Sequence, residues 1–306
     1  MSAGKRTDDQ RRPMTITRLT EMKEAGEPIA MITAYDFPSA GVVEQAGVDV
    51  VLVGDSAANC VLGYDSTVPV GMDEMTILAK AVRRGLETPL LVGDLPFGSY
   101  EGSNELAIAS SQRMVKEAGC DAVKLEGGGA SVQRAEAIAG AGIPVMGHVG
   151  LTPQTATALG GLKAQGRTAD KAIKVAEDAF ALERAGCFAI VIEAVPEAVA
   201  EMIVAKLSVP TIGIGAGNAT AGQVLVLHDL AGINEGHMAK FVKRYADVRG
   251  EMLGGVDKYV SEVRSGGFPG PEHVYSVEPS ELDGLRRRLE QGDLESNYSW
   301  DWEPLP

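Results

Sequence analysis

Short apolar runs recur along the chain and alternate with segments in which apolar residues have helical spacing. The runs are rich in β-branched residues and carry few charges, which is typical of strands buried on both faces of a parallel sheet. Alternation of strands and helices predicts right-handed crossovers, and eight repeats predict a closed (β/α)₈ TIM barrel. The predicted strands are 31–35, 48–53, 89–92, 122–125, 143–146, 188–192, 210–214 and 223–227.

Helix signals mark several of the intervening segments. Asp170 is predicted as the N-cap of a helix whose apolar face includes Ile173 and Phe180 and which ends at Gly186. Segment 196–207 repeats this pattern. By contrast, the link between the seventh and eighth strands is too short to hold a crossover helix.

Three further helical segments are predicted outside this repeat. Segment 15–25 is expected to close the bottom of the barrel, and segment 239–263 is expected to be the final helical region. Segment 280–291 begins with a capping-box-like Ser-x-x-Asp and carries a narrow leucine stripe, which predicts a short docking helix.

The net charge of the chain limits the kinds of molecule that it is expected to bind. The 306 residues include 28 Lys and Arg against 42 Asp and Glu, a formal charge of -14, which argues against nucleic acid and anionic membranes as partners. The predicted organisation is an N-terminal arm and helix (1–28), a catalytic barrel (29–267) and an acidic C-terminal extension (268–306). The last residues of this extension, 292–306, hold both tryptophans, and we expect this tail to be mobile or to pack on a neighbouring subunit.

Neither membrane spans nor disulfide bonds are predicted. The two long uncharged stretches, 137–162 and 207–228, contain Gly and Pro, and the first residues lack the apolar core of a secretory signal. Cys60, Cys120 and Cys187 are odd in number and form no CxxC pair, which predicts free thiols in a reducing compartment. A cytoplasmic location follows as the expectation.

Polar residues gather where the predicted strands end. In (β/α)₈ barrels the active site lies at the C-terminal ends of the strands, so these residues are candidates for chemistry. They are Asp55 and Ser56 after the second strand, Asp94 after the third, Lys124 and Glu126 at the end of the fourth, His148 after the fifth and Glu193 after the sixth.

Three of these residues suggest a metal site. Asp55, Asp94 and Glu126 would form a hard, oxygen-rich, anionic site of the kind that suits Mg²⁺. No Cys lies beside them and His148 is isolated, which disfavours a closed zinc site. The alternative is that each aspartate only caps the helix that follows its strand.

The remaining candidates suggest acid–base chemistry. Lys124 lies two residues from Glu126, so both face the same side of the strand, where Lys124 would neutralise a substrate carboxylate or form a structural ion pair. His148 would bind a substrate oxygen or fill a polar core layer. Glu193 ends an apolar strand and is suited to act as a general base, or it is a paired structural carboxylate. A metal opposite a carboxylate base predicts enolate formation.

Seven sequence blocks, in order, resemble the ketopantoate hydroxymethyltransferase (3-methyl-2-oxobutanoate hydroxymethyltransferase) family. They run almost continuously from residue 31 to about residue 273, so the resemblance is far more specific than any single glycine motif. The blocks are VLVGDSAANCVLGYDSTVPV, LVGDLPFGSYEG, AVKLEGG, GHVGLTPQ, GGLKAQGR, VIEAVP and GIGAGNATAGQVLVLHD.

The resemblance implies a barrel of the phosphoenolpyruvate/pyruvate type with one Mg²⁺ per subunit. Its implied reaction, in pantothenate biosynthesis, transfers a one-carbon unit from 5,10-methylenetetrahydrofolate to 3-methyl-2-oxobutanoate (α-ketoisovalerate) and gives 2-dehydropantoate. The implied assembly is a homo-oligomer, with decamers among the forms of the family.

The resemblance also implies residue roles. Lys163 and Arg167 are candidates for binding the anionic tail of the folate, and Leu162 departs from the family pattern, which commonly has an aromatic residue there. The implied site consists of Asp55, Asp94 and Glu126 at the metal, Asp55, Ser56, Asp94, Lys124 and His148 at the ketoacid, and Glu193 as the catalytic base.

Two alternatives remain open from the sequence. One is a Mg²⁺-enolate enzyme of the phosphoenolpyruvate mutase and isocitrate lyase type, in which Gly213, Gly215 and Gly217 would form a phosphate-binding turn rather than permit close packing. Cys120 and Cys187 precede strands, so neither suits the catalytic cysteine loop of such enzymes. The other alternative is a catalytically silent barrel kept as an oligomeric assembly module.

Overall fold

The computed structural model describes residues 12–236 and 238–292, and in this part of the chain eight parallel strands close into a barrel in chain order. The predicted (β/α)₈ architecture is therefore confirmed. Strand bounds differ from the predicted ones by no more than four residues. The strands are β1 Ile29–Thr33, β2 Val50–Val53, β3 Leu90–Asp94, β4 Ala122–Glu126, β5 Val145–Gly150, β6 Ala189–Glu193, β7 Thr211–Ile214 and β8 Gly222–Leu225.

Helices lie between consecutive strands up to β7, whereas residues 215–221 connect β7 to β8 without one, as the short link predicts. Short 3₁₀ turns occur at Pro153–Thr155 and Pro271–His273. The α-helices are α1 Ile16–Glu24, α2 Phe37–Ala46, α3 Ala57–Cys60, α4 Met72–Arg83, α5 Asn104–Lys116, α6 Ala130–Gly140, α7 Ala169–Arg184, α8 Glu197–Val204, α9 Leu227–Leu230, α10 Val248–Ser265 and α11 Pro279–Gln291.

Three predicted helix starts are wrong, each for a local reason. Thr168, not Asp170, caps α7, because its extended backbone lets its hydroxyl accept from the Lys171 amide. Helix α10 begins at Val248 rather than at 239, because the preceding backbone is bonded elsewhere: the Tyr245 amide donates to the carbonyl of Leu230. Helix α11 begins at a proline with no side-chain cap, so the predicted capping box does not form.

Two apolar layers explain why the barrel is stable. Residues that point inward along the strands, such as Met31 of β1 and Val191 of β6, form one cluster, and residues that point outward, such as Val123 of β4, pack against the helices. Leu19 and Met22 of α1 are buried in the inward cluster. Helix α1 therefore closes the end of the barrel opposite the C-terminal strand ends, as predicted.

The chain divides into two compact units, Met1–Arg249 and Gly250–Pro306. In the second unit, Tyr259 of α10 packs edge-on against Phe268, with ring centroids 5.5 Å apart. The predicted boundaries at residues 28 and 267 stay predictions, and the tryptophan-bearing tail beyond Gly292 lies outside the described residues. Among the described helices, none is long and apolar enough to cross a membrane.

Barrel closure predicts a contrast between two glycines. A Cβ at Gly222, where β8 pairs with β1, would lie 2.5 Å from the carbonyl oxygen of Ile29. A Cβ at Gly41, inside α2, would meet nothing within 4 Å. We expect Gly222→Ala to lower the free energy of unfolding by about 1–3 kcal/mol and Gly41→Ala to raise it by about 0.5–1 kcal/mol, measured by urea denaturation. Equal effects of the two substitutions would contradict the close approach of β8 to β1.

Candidate active site

The candidate site continues the inward-facing series of each strand. Side chains along a strand alternate between faces, so every second residue enters the barrel. Leu90 and Val92 of β3 are followed in this series by Asp94, and Ala189 and Val191 of β6 are followed by Glu193. On β4 and β5 the same periodicity adds Lys124, Glu126 and His148. The fold thus places a polar layer directly above the apolar interior.

Strand register brings opposite charges together in this layer. Asp94 of β3 pairs in register with Lys124 of β4, and the lysine Nζ donates to Asp94 Oδ1 over 2.6 Å with both side chains buried. The second oxygen of Asp94 accepts from the backbone amide of Asp55 over 3.0 Å. The ends of β2, β3 and β4 are therefore joined through one carboxylate.

His148 connects the other two carboxylates. Its Nδ1 lies 3.3 Å from Glu126 Oε1 and its Nε2 lies 3.2 Å from Glu193 Oε2. Neither contact has the angle of a hydrogen bond, so they are close charge contacts rather than aligned bonds. Burial and the nearby Lys124 oppose protonation, but the two carboxylates outweigh them and raise the pKa of His148 to about 9. The imidazole is thus a second cation in the layer.

The buried charged groups strongly shift one another's pKa values. Burial, followed by repulsion from Glu126 and Asp94, raises the pKa of Asp55 to about 8. Burial alone would also raise the pKa of Glu126, but His148 and Lys124 lower it below its ordinary value. Of these two carboxylates, Asp55 is therefore the one whose negative charge the protein compensates less.

Ser56 lies at the edge of this layer and is positioned by an aromatic residue that the sequence did not identify. The hydroxyls of Tyr35 and Ser56 are hydrogen-bonded over 2.8 Å. The Tyr35 ring packs against His228, with ring centroids 5.3 Å apart. Tyr35, in the loop after β1, therefore holds the side chain of Ser56, in the loop after β2.

Gln154 is the most connected residue that sequence reasoning missed. It lies in the 3₁₀ turn after β5, is buried, and donates from Nε2 to Asp55 Oδ2 over 2.9 Å. Its backbone amide donates to Glu126 Oε2 over 3.0 Å. The only sequence signal was its place at the end of the block GHVGLTPQ.

Backbone geometry around Glu193 is tightly constrained. The following residue, Ala194, has φ 49°, a left-handed conformation that costs about 1–3 kcal/mol for a non-glycine residue. The facing Gly150 has φ 93°, and a Cβ there would lie 2.3 Å from the Glu193 carbonyl oxygen. Strain of this kind next to a candidate base is common at functional sites.

The donor chemistry fits a hard divalent cation. Within residues 12–236 and 238–292, no group of three or more His, Cys, Asp or Glu side chains is arranged to hold a metal ion. Mg²⁺ commonly uses only one or two protein carboxylates and takes its other ligands from water and substrate. Asp55 and Asp94, buried side by side with excess negative charge, fit that smaller set.

Other residues singled out in the sequence lie away from the polar layer or pack structurally. Leu162, Lys163 and Arg167 are exposed in the segment between β5 and α7. A Cβ at Gly217 would lie 2.4 Å from Glu197, whose carboxylate accepts from the Asn218 amide over 3.3 Å. A protein carboxylate thus already binds the turn after β7, which favours close packing over a phosphate-binding role.

Barrel and polar layer together define a class, the (β/α)₈ enzymes with a carboxylate site at the C-terminal strand ends. A solved phosphonopyruvate hydrolase in complex with oxalate and Mg²⁺ has a TM-score of 0.56, with 14% identity over 93% of this chain and 99% of that chain. A solved 2,3-dimethylmalate lyase of the PEP mutase/isocitrate lyase superfamily has a TM-score of 0.55, with 14% identity over 93% of this chain and 100% of that chain. These likenesses show the fold alone.

Sequence comparison identifies the family. Residues 13–271 match the model of the family described as ketopantoate hydroxymethyltransferase, so the chain belongs to that family. It is 52% identical to the 3-methyl-2-oxobutanoate hydroxymethyltransferase of Heliobacterium modesticaldum, over 89% of this chain and 98% of that protein. It is 49% identical to mitochondrial 3-methyl-2-oxobutanoate hydroxymethyltransferase 1 of Arabidopsis thaliana, over 94% of this chain and 85% of that protein.

The buried ion pair predicts a large loss of stability when it is broken. Replacing Lys124 with Met leaves Asp94 buried without its cation, and we expect the free energy of unfolding to fall by about 3–5 kcal/mol in the absence of divalent ions. The control is Arg113→Met, which removes exposed pairs with Asp73 and Glu117 and should leave the free energy of unfolding nearly unchanged, because solvent screens exposed ion pairs. Urea denaturation measures both, and a Lys124 variant no less stable than the control would refute the buried pair.

Proposed function

We propose that this chain transfers a hydroxymethyl group from 5,10-methylenetetrahydrofolate to 3-methyl-2-oxobutanoate, giving 2-dehydropantoate in pantothenate and coenzyme A biosynthesis. Family membership and relatives at about half identity support this reaction over a phosphoenolpyruvate mutase-type activity or a silent barrel. The observation that carries the proposal is the buried layer in which Lys124 lies among carboxylates while His148 contacts the partly exposed Glu193.

The ketoacid is an anion, so it needs a cationic partner in this acidic layer. Lys124 is that partner: its ammonium is buried, and neighbouring carboxylates raise its pKa against the effect of burial, so it stays charged. Ser56, Asp55, Asp94 and His148 complete the proposed ketoacid pocket. Lys124 thus offsets the substrate charge as well as that of Asp94.

Asp55 and Asp94 would hold one Mg²⁺, with Glu126 beside them. When bound, the ion supplies Lewis-acid polarisation of the keto group. Glu126 is itself held by the Gln154 amide and by contact with His148, so it adds negative charge to the layer from a fixed position.

Glu193 is the proposed base. Its side chain is 15% exposed, so it borders the open side of the layer while contacting the buried His148. It takes the C3 proton of the ketoacid, and the electrons of that bond form the enolate. The enolate carbon bonds to the methylene carbon of the folate as the bond from that carbon to one folate nitrogen breaks, and this nitrogen takes up the proton removed from C3. Water then displaces the second nitrogen from the same carbon: its oxygen becomes the hydroxyl group, its remaining proton passes to the nitrogen, and tetrahydrofolate leaves. The close contact with cationic His148 orients Glu193 for this proton transfer.

The test is formation of 2-dehydropantoate by purified protein from 3-methyl-2-oxobutanoate, methylenetetrahydrofolate and Mg²⁺. We expect product with the unaltered chain and a fall in kcat of at least about 10²-fold in Glu193→Gln, because the base is lost. The control is Glu201→Gln, an exposed carboxylate on α8, which should leave kcat unchanged. No product from the unaltered chain, or undiminished product from Glu193→Gln, would overturn the proposal.

We also propose that the enzyme works in the cytoplasm as a homo-oligomer. All three cysteines carry free thiols, which suits a reducing compartment. Helix α10 has 18 residues and none of them is buried, while Met252, Leu253 and Val256 are more than half exposed. Exposed apolar patches mark interaction surfaces, so a second copy of the chain would cover this face of α10.

Light scattering on the purified protein tests the assembly. We expect Met252→Glu combined with Val256→Glu to lower the oligomer mass, because two charges would be buried in the contact. Met202→Glu, at an equally exposed position on α8, serves as the matched control and should leave the mass unchanged. An unaltered mass in the α10 variant would exclude this face from the contact.

A further inference from the structure

Gln154 uses every polar group of its side chain inside the candidate site. Its Nε2 donates to Asp55 Oδ2 over 2.9 Å and to the Leu95 carbonyl over 3.0 Å, and its Oε1 accepts from the Tyr100 hydroxyl over 2.7 Å. The residue is 5% exposed. A buried amide with all its partners satisfied has one orientation, so Gln154 is a rigid element of the layer.

The orientation of this amide is determined by its neighbours. The Leu95 carbonyl can only accept a hydrogen bond, so the amide nitrogen must face it, and the same NH₂ group then donates to Asp55 Oδ2. The Tyr100 hydroxyl then donates to Oε1, and the same hydroxyl accepts from the Glu126 amide over 3.3 Å. The Tyr100 hydroxyl therefore supports the amide orientation in which Gln154 donates to Asp55.

Gln154 also acts on a second carboxylate through its backbone. Its amide donates to Glu126 Oε2, so one residue of the loop after β5 contacts carboxylates at the ends of β2 and β4. Asp55 lies 99 positions away in the sequence. These bonds end on carboxylates of the proposed mechanism, whereas an ordinary structural glutamine would bond mainly to backbone.

We infer that Gln154 is a positioning residue that fixes the side-chain orientations of Asp55 and Glu126 for ketoacid and Mg²⁺. This inference rests on the proposed function for the identity of those ligands. A neutral donor is required at this position, because a carboxylate would repel Asp55 and an apolar side chain would leave one oxygen of Asp55 without its partner. The inference concerns the ketoacid and Mg²⁺, so we expect the binding of methylenetetrahydrofolate not to depend on Gln154.

Three variants separate positioning from simple structural support. Gln154→Met keeps the length and removes the donors, Gln154→Glu keeps the shape and adds repulsion, and Tyr100→Phe removes only the hydroxyl that donates to Gln154 Oε1. Gln112→Glu, an exposed position on α5, is the matched control. Circular dichroism and melting curves first establish that each variant is folded.

Steady-state kinetics give the first readout. We expect kcat to fall about 10- to 100-fold in both Gln154 variants, with a raised KM for the ketoacid and an unchanged KM for methylenetetrahydrofolate. The kcat and the ketoacid KM of Tyr100→Phe should lie between those of the Gln154 variants and those of the unaltered chain. Folded Gln154 variants with kcat and ketoacid KM within twofold of the unaltered chain would overturn the inference. Should the Gln154 variants fail to fold, the same criteria apply to Tyr100→Phe.

Calorimetric titration with Mg²⁺ alone gives a readout that needs no turnover. We expect Gln154→Met to weaken Mg²⁺ binding about 10- to 100-fold, the usual effect of losing a group that orients a metal ligand. Unweakened binding would count against the inference. The two failures are distinguishable: absence of product from the unaltered chain refutes the proposed function, whereas unchanged kinetics and Mg²⁺ affinity in the variants refute only the role of Gln154.

Discussion

The buried ammonium of Lys124 is the interaction on which the polar layer depends. Burying carboxylates is costly unless opposite charges and hydrogen bonds compensate them. Lys124 and His148 are the cations of the layer, facing the four carboxylates Asp55, Asp94, Glu126 and Glu193. With all four carboxylates ionised, two negative charges are uncompensated, which is the charge that one divalent ion neutralises. Burial and this excess raise the pKa of Asp55 to about 8, so without a divalent ion Asp55 retains a proton near neutral pH.

Barrel geometry makes this concentration of charge possible. Each functional strand places apolar residues below and polar residues above along the same inward series, so the apolar interior supports the polar layer. Outward positions between them are partly glycine: a Cβ at Gly93 would meet Met114, and one at Gly147 would meet Leu182. The helices therefore pack closely against the strands that carry the site, which keeps the side chains of the layer in fixed positions.

The strands and the strand-end residues could be predicted from the sequence because both depend on local pattern. Buried parallel strands are continuous apolar runs, and a polar residue that ends such a run stands out. The contacts of Gln154 could not be predicted in this way, because they join residues of different strands through a turn whose shape no short pattern encodes. The predicted helix starts were wrong for a related reason. Thr168 rather than Asp170 caps α7 because the backbone at Thr168 is extended, and composition does not reveal backbone conformation.

Enolisation of the ketoacid by this layer can be measured as hydrogen exchange at the C3 position. Purified protein is incubated with 3-methyl-2-oxobutanoate and Mg²⁺ in D₂O without folate, and the C3 proton signal is followed by NMR. We expect the enzyme to accelerate loss of this signal and folded Glu193→Gln not to do so. Exchange no faster than in protein-free solution, or equally fast exchange with Glu193→Gln, would contradict this expectation.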